Sequence, residues 1–307
     1  MPSPSEISER VAYESERRRR LSVPAFAGGV LYLLSGIITQ STLNGAPTVG
    51  LLQGLEPALS GVASPALSPR AGEVRFITHH SFPLIAGSLL AALAIAVLTL
   101  VLLLLAGATR FRRPGTWGPA RMLVLGGGAM LAVISVAHQI VTAIQTHNFA
   151  VGHDFSNHAV DNALTKGAAN LAIVYLDLVA GLSLAVGMIV VMVNAMRVGL
   201  LTRWVGVLGI FSGVLIFLPI GGATLEVVPA FWLVAMGLLC AERWPNGDPP
   251  AWTSGEARPW PSRVAQRDAE RAGKGSVLPA GADVSPAPAQ PVSGGSSRKR
   301  RKRGARR

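Results

Sequence analysis

The residues best suited to chemistry are an aspartate and a histidine set in otherwise apolar runs. Asp177 lies in Leu171-Ala-Ile-Val-Tyr-Leu-Asp-Leu-Val-Ala180, and His138 lies in the apolar stretch before it. A carboxylate near the middle of a membrane helix costs about 2.5–3.5 kcal/mol on insertion scales, so it must face a bundle interior, find a partner or bind a proton. Counted from the outer ends of their stretches, His138 is about 10 Å deep and Asp177 about 12 Å deep, at a rise of about 1.5 Å per residue. Consecutive antiparallel helices are usually neighbours, so the two residues are expected to pair. Gln139, Thr142, Asn170 and Tyr175 add polar groups at the same outer level. Such a pair can titrate near neutral pH and handle protons or cations. It can equally act as hydrogen-bonding glue between two helices.

Histidines form a second candidate. All six fall on the outer side or in the outer half of the expected topology: His138 together with His79, His80, His147, His153 and His158. With Asp154 and Asp161 nearby, the last five are a candidate ligand set for a borderline divalent cation. Their spacing is unspecific, because neither His79-His80 nor His153-Asp-Phe-Ser-Asn-His158 repeats on one helix face. A third candidate is the terminal run Arg298, Lys299, Arg300, Arg301, Lys302, Arg303, Arg306 and Arg307, which suits contact with anionic inner-leaflet lipids. No aromatic residues are interleaved, so specific nucleic-acid recognition is not expected.

The elements that must position these residues are membrane spans. Half of the 307 residues are apolar and only 14% are charged, too few to cover a soluble surface. One cysteine, Cys240, excludes an intramolecular disulfide and a thiolate metal cage. Crossing a bilayer core takes roughly 20 apolar helical residues. Six stretches approach that length: about 23–43, 84–105, 122–145, 169–196, 205–221 and 225–241. The last two are short and could form a re-entrant hairpin instead. The expected fold is therefore all-α, a polytopic six-transmembrane-helix bundle over residues 21–241, with outer loops 44–81 and 146–166. Both termini are expected to be cytoplasmic: a segment 1–20, and a disordered tail 242–307 rich in Pro, Ala, Gly and Ser.

Charge supports that orientation. Leaving the tail aside, eleven Lys and Arg fall inside, including Arg110, Arg112, Arg113, Arg121, Arg197 and Arg203, against three outside, Arg70, Arg75 and Lys166. Trp117, Trp204 and Trp244 fall at inner span ends, where indole suits the headgroup level. Arg17–Arg20 before the first span has the sign of a signal peptide, but no small-x-small cleavage site follows. In the first outer loop, Leu51, Leu52, Leu55 and Leu59 have helical spacing, and Ser68-Pro69 reads as an N-cap and first helical residue leading into a helix kinked near Pro83. Gly209-x-x-x-Gly213 and Gly126-Gly-Gly128 offer smooth surfaces for close helix packing.

The segments Asn194-Ala-Met-Arg-Val-Gly-Leu-Leu-Thr-Arg-Trp-Val-Gly-Val-Leu-Gly-Ile210, Phe217-Leu-Pro219, Phe231-Trp-Leu233, Arg243-Trp-Pro245 and Pro249-Pro-Ala-Trp-Thr-Ser-Gly-Glu-Ala-Arg-Pro-Trp-Pro261 resemble an uncharacterised multi-pass membrane protein family of high-GC, actinobacterial-type bacteria. The resemblance covers about residues 21–262 and implies a bacterial cell-membrane location, but carries over no functional residue. No Gly-x-Ser-x-Gly elbow, His-Glu-x-x-His helix or Walker loop is present, so neither an enzyme nor a cofactor is expected. The leading expectation is a non-enzymatic integral membrane protein acting by assembly or interaction, with lipid and a homo-oligomeric copy as partners. The alternatives are a small-solute or proton transporter using His138 and Asp177, and a metal-binding enzyme or sensor using the outer histidines.

Overall fold

The computed structural model describes residues 3–50, 68–115, 118–152, 154–218, 226–245 and 247–259. The expectations that fall on Leu51 to Leu59, Trp117, His153 and the chain beyond Pro259, including the run from Arg298 to Arg307, lie outside these residues.

Nine α-helices and no strand are found among the described residues: α1 (Pro4–Leu43), α2 (Ala71–His79), α3 (Ser81–Arg112), α4 (Pro119–Val151), α5 (Asn157–Asp161), α6 (Ala168–Val198), α7 (Arg203–Phe217), α8 (Val227–Cys240) and α9 (Pro250–Ser254). A single π-helical turn, Asn162–Lys166, joins α5 to α6. Four helical runs are long and apolar enough to cross a membrane: α1, α3, α4 and Asn157–Val198. The protein is thus an all-α chain with the helices of a membrane protein. Its exposed apolar side chains are scattered around the bundle, among them Val23, Ile37, Phe82, Met122, Val133 and Phe211, as lipid-facing helices require.

The first helix is longer than the hydropathy pattern indicates. Ser3 accepts from the Glu6 amide, and Glu6 returns a bond to the Ser3 amide at 2.6 Å, so a capping box starts the helix at Pro4. Residues 4–20 of the expected cytoplasmic segment and the first span are one 40-residue helix. The helix expected to begin at Pro69 begins at Ala71, and Ser68 instead donates its amide to Phe155 O at 2.8 Å. The expected kink near Pro83 is a break at His80 (φ −108°, ψ 20°). Pro83 itself sits in the first turn of α3, where its missing N–H deprives no carbonyl.

α7 and α8 have 15 and 14 residues, about 22 and 21 Å of helix at 1.5 Å per residue, against a core of about 30 Å. They are packed into the bundle all the same. α8 lies against α1, where a β-carbon on Gly29 would sit 2.7 Å from Ala230 O. α7 lies against α6, and Trp232 of α8 donates its indole N–H to Val205 O of α7 at 3.2 Å. Trp232, Leu98, Leu102, Leu105, Leu184, Met188, Met192 and Leu233 fill the shared core. α6 ends at Gly199, left-handed at φ 82°, which returns its N–H to Ala195 and Met196.

Residues 247–259 correct the expectation of disorder from 242 onward. Ala251 and Trp252 are buried in the main core, and Trp252 donates to Leu200 O at 2.9 Å. Arg258 N–H bonds Val198 O at 3.1 Å, and α9 closes at Gly255 (φ 67°), whose missing β-carbon would lie 2.6 Å from Ile7 Cγ2. A buried indole with a hydrogen-bond partner, together with the bonds at Ala251 and Arg258, anchors a Pro-rich stretch that has no apolar periodicity.

Candidate functional site

α4 and α6 hold the polar residues singled out by the sequence. The two helices touch at Gly127, where a β-carbon would lie 2.5 Å from Leu184 N and 3.0 Å from Ala180 O. They touch again near the distal end, the end farthest from Arg112. There Asn170, only 2% exposed, packs its amide against that of Gln145. Turned so that its nitrogen faces the π-helical turn, Gln145 donates to Ala163 O at 3.0 Å, Asn162 O at 3.3 Å and Asn170 Oδ1 at 3.1 Å. Gly167 makes this fit possible, because a β-carbon there would lie 2.6 Å from Asn162 O. π-helical turns recur at functional sites, and this one caps the α4–α6 seam.

Between the two contact points lie His138 and Asp177. Ile173, Asp177, Ala180 and Leu184 follow one stripe of α6; three are buried, but Asp177 is exposed. The residues on either side of it, 174–176 and 178–179, are exposed as well, Tyr175 to 66%. His138 is half-buried and within electrostatic reach of the Asp177 carboxylate. Neither makes a hydrogen bond or ion pair among the described residues. The expected pair therefore shares one level of the bundle, but opens to its perimeter rather than sealing inside it. Ile216 and Phe217, at the end of α7, pack beside Gly181, one turn from Asp177 on α6. Of the supporting groups, Gln139 and Thr142 are half-buried on α4, Asn170 belongs to the distal contact and Tyr175 faces outward.

Above this gap is an open pocket of about 590 Å³, with Gln145, Asn148, Asp154, Asn162 and Lys166 as its polar lining. Lys166 donates to Asp161 at 2.6 Å, and this bond holds the Asp161 carboxyl below its ordinary range. Asp154 accepts the Ser156 N–H at 2.9 Å and is held low by that bond. The described histidines do not gather. His80 stacks on Phe76 with its Nδ1 2.9 Å from Phe76 O, His158 lies beside Asn162, and His79 and His147 are exposed. No group of three His, Cys, Asp or Glu converges to hold a metal among the described residues.

The opposite, arginine-rich end carries a cluster that sequence reasoning missed. Glu14 on α1 accepts from Arg112 at 2.8 Å and from Arg10 at 3.2 Å. Arg112 also donates to Ala108 O and, through Nε and an Nη, to Ala251 O at 3.0 and 2.8 Å. Arg18, 3% exposed, bonds Leu239 O at 2.6 Å and Asp248 at 3.1 Å, with its guanidinium 4.5 Å from the Trp252 ring centre. Arg19 pairs with Glu242. The 10-14-18 spacing of Arg, Glu and Arg puts all three on one face of α1. That spacing was the one trace of this cluster in the sequence.

The chain matches no family model, no curated protein and no solved structure.

Proposed function

We propose that the protein is a non-enzymatic integral membrane protein of the bacterial plasma membrane that works by assembly, with two copies associating through the distal half of α6. In this reading six helices cross the bilayer, α7 and α8 included, and both termini face the cytoplasm. Support for the orientation comes from the arginine-rich cluster, where the start of α1, the end of α3 and the segment after α8 meet at one end of the bundle. The same end carries Arg110, Arg113, Arg121, Arg197 and Arg203, as cytoplasmic loops do.

The observation that carries the assembly reading is the exposure of Asp177. An acid facing lipid is costly, and interhelical contacts are the usual remedy. In a two-fold pair each copy presents the same patch, so Asp177 of each meets the His138 level of the other and the exposed Val174, Leu178 and Val179 are covered together. The transport reading has less support, since the distal pocket is lined down to Gln145 and Ala168, about 10 Å short of His138 at 1.5 Å per residue.

The test is cross-linking in native membranes. Cys240, the native thiol, is buried, so Leu178→Cys adds one accessible thiol on the patch. Mild oxidation should yield a covalent dimer from Leu178→Cys and none from Val133→Cys, which is exposed on α4. Equal yields at both positions, or none at 178, would count against this interface.

A further inference from the structure

Where α3 ends and α4 begins, a small cleft of about 50 Å³ opens at the arginine-rich end, lined by Thr109, Arg110, Gly118, Ala120, Arg121 and Asn194. Three independent features of it call for an anion. First, Arg110 and Arg121 are both exposed, and neither has an ion pair among the described residues. Three acids at this end are committed elsewhere: Glu14 to Arg10 and Arg112, Asp248 to Arg18, Glu242 to Arg19. Among the described residues no acidic side chain lines the cleft.

Second, Thr109 is 2% exposed, and its hydroxyl oxygen is buried without any hydrogen-bond partner. A threonine on a helix ordinarily returns its hydroxyl to the carbonyl four residues back, as Thr99 does to Ile95 at 2.8 Å. Thr109 keeps its donor free and lines the cleft. Third, the 33-residue α4 starts here with Gly118 as its N-cap, which brings no side chain to accept from the first-turn amides. Its first turn holds no acid either, so the positive end of the helix dipole is uncompensated.

We propose that this cleft binds a phosphate group, carried by an anionic lipid headgroup or by free phosphate. Arg110 and Arg121 grip its oxygens from two sides, as guanidinium forks do. The Thr109 hydroxyl donates to a third oxygen, and the α4 N-terminus faces the charge.

The test uses the full-length protein in a zwitterionic detergent, with thermal unfolding followed during titration by short-chain phosphatidylglycerol, by short-chain phosphatidylcholine and by inorganic phosphate. Phosphatidylglycerol should raise the midpoint saturably and phosphatidylcholine should not. In Arg110→Gln/Arg121→Gln the half-saturating concentration should rise about tenfold or more, since each lost bond is a charged one. Thr109→Val, which keeps the shape and removes the donor, should weaken binding in the same direction. Both arginines are exposed, so the unliganded midpoint of the double variant should match that of the parent and report that it is folded. A saturable response to inorganic phosphate that is lost in the same variants assigns the site to a soluble anion instead of a lipid. Titrations that do not differ between the parent and the double variant overturn the proposal, because the anion is then held elsewhere.

Discussion

Arg112 and Glu14 meet at 2.8 Å across 98 residues of chain, with side chains 0% and 3% exposed. Every face of the guanidinium is used: Glu14, the Ala108 and Ala251 carbonyls, and the Trp252 ring at 5.4 Å. The pair thus ties together α1, α3 and the segment that follows α8. A buried ion pair of this kind fixes an arrangement more than it adds stability, because its Coulomb gain is offset by the desolvation of both charges.

That asymmetry can be tested. Arg112→Met leaves Glu14 buried with only Arg10, and should destabilise the protein by about 3–5 kcal/mol. Adding Glu14→Gln removes the stranded charge and should recover a large part of that loss. Thermal unfolding in detergent reads both. A double variant as unstable as the sum of the two singles would contradict a coupled pair.

Trp252→Ala removes the indole that anchors residues 247–259, together with its bond to Leu200 O. The expected cost is about 3–5 kcal/mol for a buried aromatic. The loss should be local, so limited proteolysis should cut within 247–259 in the variant while α1 to α8 stay protected. Unchanged protease resistance would show that the segment is held by other means.

Gly127 and Gly126 make a matched pair of substitutions. A β-carbon on Gly127 would meet the α6 backbone at 2.5 Å, and backbone has no flexible end to move aside. Gly127→Ala should force α4 from α6 and cost about 1–3 kcal/mol as overpacking. Gly126 has nothing within 4 Å, so Gly126→Ala should be neutral or stabilising by about 0.5–1 kcal/mol through helix propensity. The same midpoint measurement on both variants checks the contrast.

Much of this architecture is legible in the amino-acid order, because lipid demands long apolar runs and α3, α4 and α6 supply them. The capping box at Ser3 and Glu6 was also there to be read, yet hydropathy begins only after Arg20 and hides a helix that is already formed. His80 rather than Pro83 breaks the chain, since a proline in the first turn costs no hydrogen bond. Trp252 was not legible as an anchor: a single buried indole leaves no periodicity. The common level of His138 and Asp177 follows from counting residues along two helices. What counting cannot give is which face of α6 its neighbours leave open at Asp177.

The Asp161 carboxylate gives a pH dependence at the distal end. The Lys166 bond holds its pKa below the ordinary 3.8, so the folded state favours the ionised form. The resulting stabilisation is complete above the ordinary value and is lost as pH falls through the depressed one. Since the pair is on the surface, the effect should be small and should fade with salt. Amide protection in 157–167, corrected for intrinsic exchange, should drop on going from about pH 6 to about pH 3. Asp161→Asn should flatten that drop. An identical drop in the variant would assign it to another group.

The most direct test of assembly through α6 is the subunit count in lipid. Single-molecule photobleaching of the labelled full-length chain in bilayers should show two-step traces for the parent and for Tyr175→Phe. Asp177→Leu makes the patch uniformly apolar and should give mainly one-step traces at the same dilution. One-step traces from the parent, or two-step traces that survive Asp177→Leu, would contradict an interface built on that aspartate.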